Sequence, residues 1–142
     1  MATWIKTDGG RTSCIDDLPP TSVYNDCLCR SLALATNTHY VYIWAALTIA
    51  KRENPVKGCK GNAFHRSSIS QARIALERMG VSILRNHLTN RRKLTSWIDE
   101  HPTFTGIVRT GNHFVAVSRG HYYDEVDTGN KQVTDLYELR SI

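Results

Sequence analysis

The sequence predicts an α+β fold in which N-terminal helices pack on a C-terminal antiparallel sheet. Apolar residues recur at helical spacing between Cys27 and Met79. After Phe104, turn dipeptides separate short apolar runs of the length that strands have. Helices first and strands last is the order that α+β domains show, so both patterns indicate the same fold class.

The size and composition of the chain predict one domain, residues 1–142, with one core. Of its 142 residues, 41% are hydrophobic and 22% are charged, which is ordinary for a globular protein of this length. No stretch approaches the roughly 20 apolar residues of a membrane-spanning helix, so no membrane partner is expected. Residues 1–11 contain no apolar segment of a secretory signal. We therefore expect a cytoplasmic protein whose cysteines remain reduced.

The charge pattern does not favour nucleic acid as a partner. The formal net charge is +5, with a local basic cluster at 91–93. Acidic residues such as Asp16, Asp17, Asp99 and Glu100 interrupt any single basic stripe. A protein or peptide is the expected partner instead.

Four helices are predicted after an irregular N-terminal segment. The residues up to Val23 contain turn signals and are expected to form a loop. The predicted helices cover residues 27–36, 40–52 and 68–79, and a shorter fourth helix begins at a cap on Asn90 and carries Leu94, Trp97 and Ile98. The polar connection 54–66 is either a functional flap or a variable insertion.

The strands follow from short apolar runs bounded by turn residues. A first short strand is predicted at 81–84, between the third and fourth helices. The others are predicted at 104–109, 112–118, 121–124 and 132–139. These late strands are expected to form the antiparallel sheet.

Cys27 occupies a position that favours an ionised thiol. It follows the turn-type pair Asn25-Asp26 and begins an apolar periodic run, so it falls in the first turn of the first helix. Free N–H groups and the positive end of the helix dipole stabilise an anion there. Two interpretations remain open from these residues alone: Cys27 and Cys29 fill the core, or Cys27 is a nucleophile.

A histidine that enters an apolar strand late in the chain favours the second interpretation. His113 precedes the run Phe114-Val115-Ala116-Val117. A cysteine near a helix start with a distant histidine is typical of a thiol hydrolase. The roles that follow are a thiolate at Cys27 and a base, later an acid, at His113.

A tight hairpin is expected to supply the third member of the site. If Arg119-Gly120 is the whole loop, Ser118 pairs with His121, and Asp124 lies on the same face as His113, roughly 7 Å away between backbones. A bulged residue would bring Asp127 opposite the histidine instead. The two-residue hairpin favours Asp124 as the carboxylate that fixes the imidazole.

The remaining site predictions concern the oxyanion, metals and Arg30. The oxyanion would be bound by the backbone N–H of Cys27 and a second donor, for which Asn25 is the candidate. No metal or other cofactor is expected, because Cys27-x-Cys29 is one residue short of the usual zinc pair and the histidines lack ligand spacing. Arg30, one turn after Cys27, is expected to pair with Asp26 or with one of the aspartates at 16 and 17.

Three sequence blocks, taken in order, resemble a family of small phage and bacterial proteins. The blocks are Asp8-Gly9-Gly10-Arg11, then Asp26-Cys27-x-x-Arg30-Ser31-Leu32-Ala33-x-Ala35-Thr36, then His113-Phe114-Val115-Ala116-Val117 with Tyr123-Asp124. This family is regarded as papain-like cysteine peptidases without an established substrate. The stretch around Cys27 is also similar to the nucleophile motif of ovarian-tumour-type deubiquitinases, which share the papain-like core.

The resemblance implies a papain-like fold and a cysteine peptidase or related thiol hydrolase. Cys27, His113 and Asp124 would act on an amide or isopeptide bond, in a phage-encoded protein working in the host cytoplasm. The alternative is a papain-like protein without activity that binds or inhibits a host protein or nucleic acid. In either case the helix of Cys27 is expected to pack against the sheet that carries His113 and Asp124.

Overall fold

The computed structural model describes all residues, 1–142, and has the α+β class that the sequence predicts. A six-stranded sheet is combined with four α-helices and one short 3-10 helix, Thr12–Asp17. The α-helices are α1 (Cys27–Ala35), α2 (Tyr40–Glu53), α3 (Ile69–Glu77) and α4 (Leu94–Glu100). The strands are β1 (Thr3–Lys6), β2 (Val81–Lys93), β3 (Thr105–Thr110), β4 (His113–Ser118), β5 (His121–Asp124) and β6 (Gln132–Ser141).

The late strands pair antiparallel as predicted, but the sheet as a whole is mixed, because it also contains a parallel strand that was not predicted. Its strand order is β1-β5-β4-β3-β6-β2, and every neighbouring pair is antiparallel except β1 and β5, which are parallel. The segment that contains β1 was predicted to be a loop. Its main chain instead finds a partner in β5, with Thr3 beside His121, and this pairing joins residues that are far apart in the sequence.

Helices cover both faces of the sheet. On one face, α1, α2 and α3 pack over Ile83, Ile107, Phe114 and Tyr137. On the other face, Leu94, Trp97 and Ile98 of α4 pack over the alternate residues of the same strands, including Val108, Val115 and Val117. Because side chains of a strand alternate between faces, the central strands contribute to both cores.

Two of the predicted boundaries in the middle of the chain were wrong. Strand β2 continues to Lys93, far beyond the predicted end at residue 84, and Asn90 lies inside it rather than at a helix cap. The cause is β6, which pairs with β2 along most of its length around an irregularity between His87 and Arg92. Helix α3, by contrast, begins where the sequence predicts a serine cap at position 67 or 68: Ser68 is the cap, and it forms a capping box with Gln71.

The β4–β5 hairpin has the predicted two-residue loop, with Ser118 paired to His121. Arg119 has a φ of 46° and Gly120 a φ of 85°, as a tight hairpin loop requires at both central positions. This register determines which side chains share a face beside His113.

Every helix of the structure falls short of what a membrane-spanning helix needs in length and apolar character.

Candidate active site

Cys27 is the first residue of α1, and the start of this helix is attached to β4 at Phe114. The carbonyl of Phe114 accepts a hydrogen bond of 3.0 Å from the hydroxyl of Ser31, one turn after Cys27 in α1. Cys27 itself packs against the core cluster that contains Phe114. Strand β5 pairs with β4 only from Ala116 onward, which leaves this end of β4 open to the helix. The thiol therefore has a defined position beside the first residues of β4.

His113, the first residue of β4, interacts with both of its predicted partners. Its Nε2 donates to Oδ2 of Asp124 over 2.6 Å, and the side chain of Cys27 is close enough that each of the two groups shifts the pKa of the other. Because Asp124 occupies Nε2, Nδ1 is the nitrogen left for the thiol. Asp127, the alternative carboxylate, instead accepts a hydrogen bond from the hydroxyl of Tyr122. The structure thus brings Cys27, His113 and Asp124 together.

The electrostatics of the site favour the charged pair of thiolate and imidazolium. Burial acts to raise the pKa of Cys27, but hydrogen bonds from His113 and Phe114, together with the charges of His113 and Arg30, lower it overall. The hydrogen bonds to Asp124 and Cys27 raise the pKa of His113 to about 9. A cysteine in this state can attack a carbonyl carbon, and the adjacent imidazolium can protonate a leaving group.

Both oxygens of the Asp124 carboxylate have all the hydrogen bonds that they can accept. Oδ1 accepts from the guanidinium of Arg30 at 3.1 Å and from the backbone N–H of Glu125 at 2.9 Å. Oδ2 accepts from His113 and from the hydroxyl of Thr128, the latter at 3.1 Å. Burial alone would raise the pKa of Asp124, yet the hydrogen bond and charge of His113, with the charge of Arg30, lower it. The carboxylate therefore remains ionised and holds the imidazole in one orientation.

A second buried carboxylate, Asp26, lies directly before Cys27 and is saturated in the same way. It is 2% exposed. Arg11 donates to both of its oxygens, at 3.0 and 3.1 Å, Arg30 Nε donates to Oδ1 at 3.1 Å, and the hydroxyl of Tyr40 donates to Oδ2 at 2.6 Å. Since a buried charge without partners is strongly destabilising, these contacts are what allow Asp26 to be buried.

Arg30 links the two carboxylates. Its Nε donates to Asp26 and its Nη1 to Asp124, so one guanidinium connects the start of α1 to the end of β5. The expected pairing with Asp26 is therefore present, and Asp16 and Asp17 are not its partners. Cys27 follows Asp26, and His113 is held by Asp124. Because Arg30 binds both carboxylates, it fixes Cys27 and His113 relative to each other. It acts as a positioning residue.

The Asp8-Gly9-Gly10-Arg11 block forms the turn that delivers Arg11 to Asp26. Asp8 accepts hydrogen bonds from the backbone N–H groups of Gly10 and Thr12, each at 3.0 Å. Gly9 has a φ of 72°, and a Cβ at this position would lie 2.9 Å from the Cα of Arg30. A side chain is therefore excluded twice, by the backbone conformation and by the close approach of α1.

The first turn of α1 keeps its N–H groups free of a side-chain cap. Asp26 makes no capping hydrogen bond, and the first backbone bond of the helix runs from the N–H of Arg30 to the Asp26 carbonyl. The N–H of Cys27 is thus free for an oxyanion. The side chain of Asn25 is exposed beside it, and its role as a second donor stays a prediction.

The connection between α2 and α3 supports the segment before Cys27. Its Phe64 carbonyl accepts a hydrogen bond of 2.8 Å from the N–H of Asn25. The buried ammonium of Lys51 donates to four backbone carbonyls of this connection, at Lys60, Asn62, His65 and Arg66. Arg11 also lies 4.0 Å above the ring of Tyr24, whose edge meets Phe64. The connection between α2 and α3 is therefore held in place by Lys51 of α2, and it in turn supports the segment before Cys27.

A polar cavity of about 350 Å³ opens beside the imidazole. Six residues line it, namely Thr110, Asn112, His113, Val126, Thr128 and Lys131. The largest cavity, about 700 Å³, lies elsewhere and contains neither Cys27 nor His113 among its lining residues. The smaller cavity is therefore the one that adjoins His113, although Cys27 is not among its lining residues.

The other thiols differ from Cys27. Cys29 is 1% exposed, and burial raises the pKa of its thiol strongly. Burial also raises the pKa of Cys14. All four cysteines are free, and no group of three or more His, Cys, Asp or Glu side chains is arranged to hold a metal ion. Cys27 is thus the cysteine whose surroundings favour a thiolate.

Sequence reasoning missed the residues that position this site, chiefly Arg11 and Thr128 and the link from Arg30 to Asp124. The signal for Arg11 was present, because the Asp8-Gly9-Gly10-Arg11 block carries the resemblance without an assigned role.

Comparison of the chain with protein-family models, with curated proteins and with solved structures gave no match.

Proposed function

We propose that this protein is a papain-like thiol hydrolase in which Cys27 attacks an amide or isopeptide bond. The observation that carries the proposal is a histidine held by a buried carboxylate at the start of β4, the strand to which the helix that begins with Cys27 is attached. This arrangement has the nucleophile, the acid–base group and the orienting group that acyl transfer through a thiol requires.

The proposed reaction runs in two halves. The Cys27 thiolate attacks the carbonyl carbon, and the resulting oxyanion is stabilised by the free N–H of Cys27 at the start of α1. His113 gives its Nδ1 proton to the leaving amine as the carbon–nitrogen bond breaks, which leaves a thioester on Cys27. His113 then removes a proton from water, the hydroxide attacks the thioester, and the acid and the thiolate are released.

The topology supports the papain-like part of the proposal. The nucleophile begins a helix that packs on one face of the sheet, and the base and its carboxylate come from neighbouring strands later in the chain. The chain order of cysteine, histidine and aspartate agrees with the resemblance in the three sequence blocks. A protein or peptide substrate in a host cytoplasm, for a phage-encoded enzyme, is the proposal that follows from that resemblance.

An active-ester assay tests the hydrolase proposal without a known substrate. Incubation with p-nitrophenyl acetate is expected to place an acetyl group on Cys27, visible in the intact mass and in tandem fragments, and then to release it with turnover. Cys27→Ala is expected to abolish both steps, and His113→Ala to slow both. Cys29→Ala serves as the matched control and is expected to keep them, because Cys29 is buried and stays a thiol.

The competing function is a binding or inhibitory protein that has the fold without the chemistry. Acetylation that occurs equally on Cys27 and on Cys14, without turnover and without dependence on His113, would contradict the hydrolase and favour this alternative.

A further inference from the structure

Resting on the hydrolase proposed above, we infer that the site takes a substrate segment rich in carboxylates, bound along a basic strip that begins beside Cys27. The strip is a row of four residues paired directly across adjacent strands of the α1 face. From the nucleophile outward they are Phe114, Arg109, Asp135 and His87, on β4, β3, β6 and β2.

The row starts at the strand to which the helix of Cys27 is attached, because the carbonyl of Phe114 accepts a hydrogen bond from Ser31 in α1. The guanidinium of Arg109 lies 5.5 Å from the centre of the Phe114 ring, on the side of the next strand. At a spacing of about 4.8 Å between strands, the row is about 14 Å long, which matches roughly four residues of an extended chain. A substrate whose scissile bond lies at Cys27 can therefore reach the whole row.

The charges along the row favour an acidic occupant. Asp135 is buried, and its carboxylate is already bound by Arg85 and His87, at 2.9 to 3.0 Å. The side chains of Arg85 and His87 remain 51% and 56% exposed above it. Arg109 has no carboxylate partner, and its Nε donates only to the Gly111 carbonyl. Arg85 and Arg109 thus set two fixed positive charges against one buried carboxylate.

Further unpaired cations surround this end of the sheet. Lys131 lines the cavity beside His113 and precedes Gln132, which pairs with Lys93 at the end of β2. Neither lysine is in an ion pair, nor is Arg91. Of the nearby acids, Glu100 binds Arg92 and Glu125 binds Arg11, while Asp127 is hydrogen-bonded to Tyr122 and Gly129. Lys131 thus places an unpaired positive charge beside His113, and Arg91 and Lys93 add two more on β2, the strand where the row ends. These charges would concentrate an acidic chain.

A protection assay tests the strip with the full-length protein. The rate of Cys27 alkylation by iodoacetamide is measured by tandem mass spectrometry against increasing concentrations of a short peptide in which glutamate alternates with alanine. A peptide with glutamine in place of glutamate is the neutral control. The acidic peptide is expected to protect Cys27 and the neutral peptide to protect it far less, with protection falling as salt rises.

Variants identify the strip as the binding surface. In Arg109→Gln/Lys131→Gln, the concentration of acidic peptide that halves the alkylation rate is expected to rise roughly tenfold above that of the wild-type protein. For each protein, the rate without peptide is the reference. The matched control Arg78→Gln/Arg140→Gln removes two exposed arginines at distance from the row and is expected to leave half-protection unchanged. Equal protection by both peptides, or equal loss in both double variants, would overturn the inference.

Two further outcomes distinguish this inference from a nucleic-acid surface and from the hydrolase proposal. An oligothymidylate of the same charge that protects Cys27 at lower concentration than the acidic peptide would overturn it in favour of a nucleic-acid surface. The protection assay needs only an accessible thiol. Protection by the acidic peptide in a protein that shows no acetyl turnover would therefore support the strip while contradicting the hydrolase.

Discussion

His113 and Asp124 are joined by a hydrogen bond of 2.6 Å between neighbouring strands, and this bond is the largest contribution to the raised pKa of the histidine. The same carboxylate is tied to α1 through Arg30. The protonation state of His113 and the position of Cys27 therefore depend on one buried carboxylate.

Asp124→Asn is expected to lower the pKa of His113 from about 9 toward its ordinary value near 6.5, because a neutral amide removes the partner that stabilises the imidazolium. The ring proton shifts of His113, followed by NMR across the pH range, measure this pKa. Asp127→Asn is the matched control, since Asp127 binds Tyr122 and not the histidine. An unchanged pKa in Asp124→Asn would show that this carboxylate does not stabilise the charged ring.

Arg30→Met is expected to reduce the free energy of unfolding by about 3 to 5 kcal/mol, because it leaves two buried carboxylates each short of a cationic partner. Urea denaturation followed by tryptophan fluorescence measures this loss. Arg140→Met removes an exposed arginine that pairs with Glu138 and is expected to change stability by no more than about 0.5 kcal/mol. Similar losses in the two variants would contradict the bridging role of Arg30.

Gly9→Ala is expected to destabilise the fold more than Gly58→Ala does. Both glycines have φ between 70° and 80°, so both substitutions carry the strain of about 1 to 2 kcal/mol that an L side chain meets there. Only at Gly9 would the added Cβ also lie 2.9 Å from the Cα of Arg30, while nothing lies within 4 Å at Gly58. The clash is expected to add about 1 to 3 kcal/mol, measured by denaturation; equal effects would contradict close packing of the turn on α1.

Cys27→Ser is expected to make stability fall more steeply as pH rises above about 6.5. A histidine with a raised pKa stabilises the fold fully below its unfolded pKa, near 6.5, and this stabilisation is lost as pH rises through its folded pKa. In the variant, Asp124 still raises that pKa, while the contribution of Cys27, which helps to raise it to about 9 in the wild-type protein, is gone. In the wild-type protein, the lowered pKa of Cys27 acts in the opposite direction and offsets part of that loss. Melting temperatures across this range compare the two proteins.

The double variant Cys27→Ser/His113→Gln is the control for that comparison and is expected to lose the steep fall, because no raised histidine remains. A wild-type protein whose melting temperature falls as steeply as that of Cys27→Ser would indicate that the thiol and the imidazole do not exchange charge.

Cys29→Ala is expected to cost about 1 to 2 kcal/mol of stability through lost packing and to leave reactivity intact. Cys27→Ala, in contrast, is expected to fold normally and to lose hydrolytic or biological activity. Of the four cysteines, Cys27 is the one that raises the pKa of His113. Thermal melts and the acetylation assay on both variants measure the two effects. Loss of activity in Cys29→Ala, with Cys27→Ala unaffected, would reverse the assignment of the nucleophile.

The local features of this chain were predictable because their signals lie close together in the sequence. The starts of α1 and α2, the capping box of Ser68 and the hairpin at Arg119-Gly120 each depend on a few neighbouring residues. The hairpin register was sufficient to predict that Asp124 rather than Asp127 reaches His113. Short-range chemistry thus specified the relation between histidine and carboxylate.

Features that depend on distant partners were not predictable from local patterns. Strand β1 exists because β5 pairs with it, and β2 extends through a polar, mostly exposed stretch because β6 pairs with it. An exposed edge strand lacks the apolar alternation that identifies buried strands. The pair of Arg30 and Asp124 joins residues 94 positions apart, so its discovery required the fold.

The most direct test of the central claim, that His113 holds Cys27 as a thiolate, is the pH dependence of Cys27 alkylation by iodoacetamide in the wild-type protein and in His113→Ala. The wild-type rate is expected to stay high well below pH 8, where a free cysteine is mostly protonated. In His113→Ala, burial of the thiol remains while its main stabilising partner is gone, so the rate near pH 6.5 is expected to fall at least about tenfold. Superimposable pH profiles for the two proteins would contradict the claim.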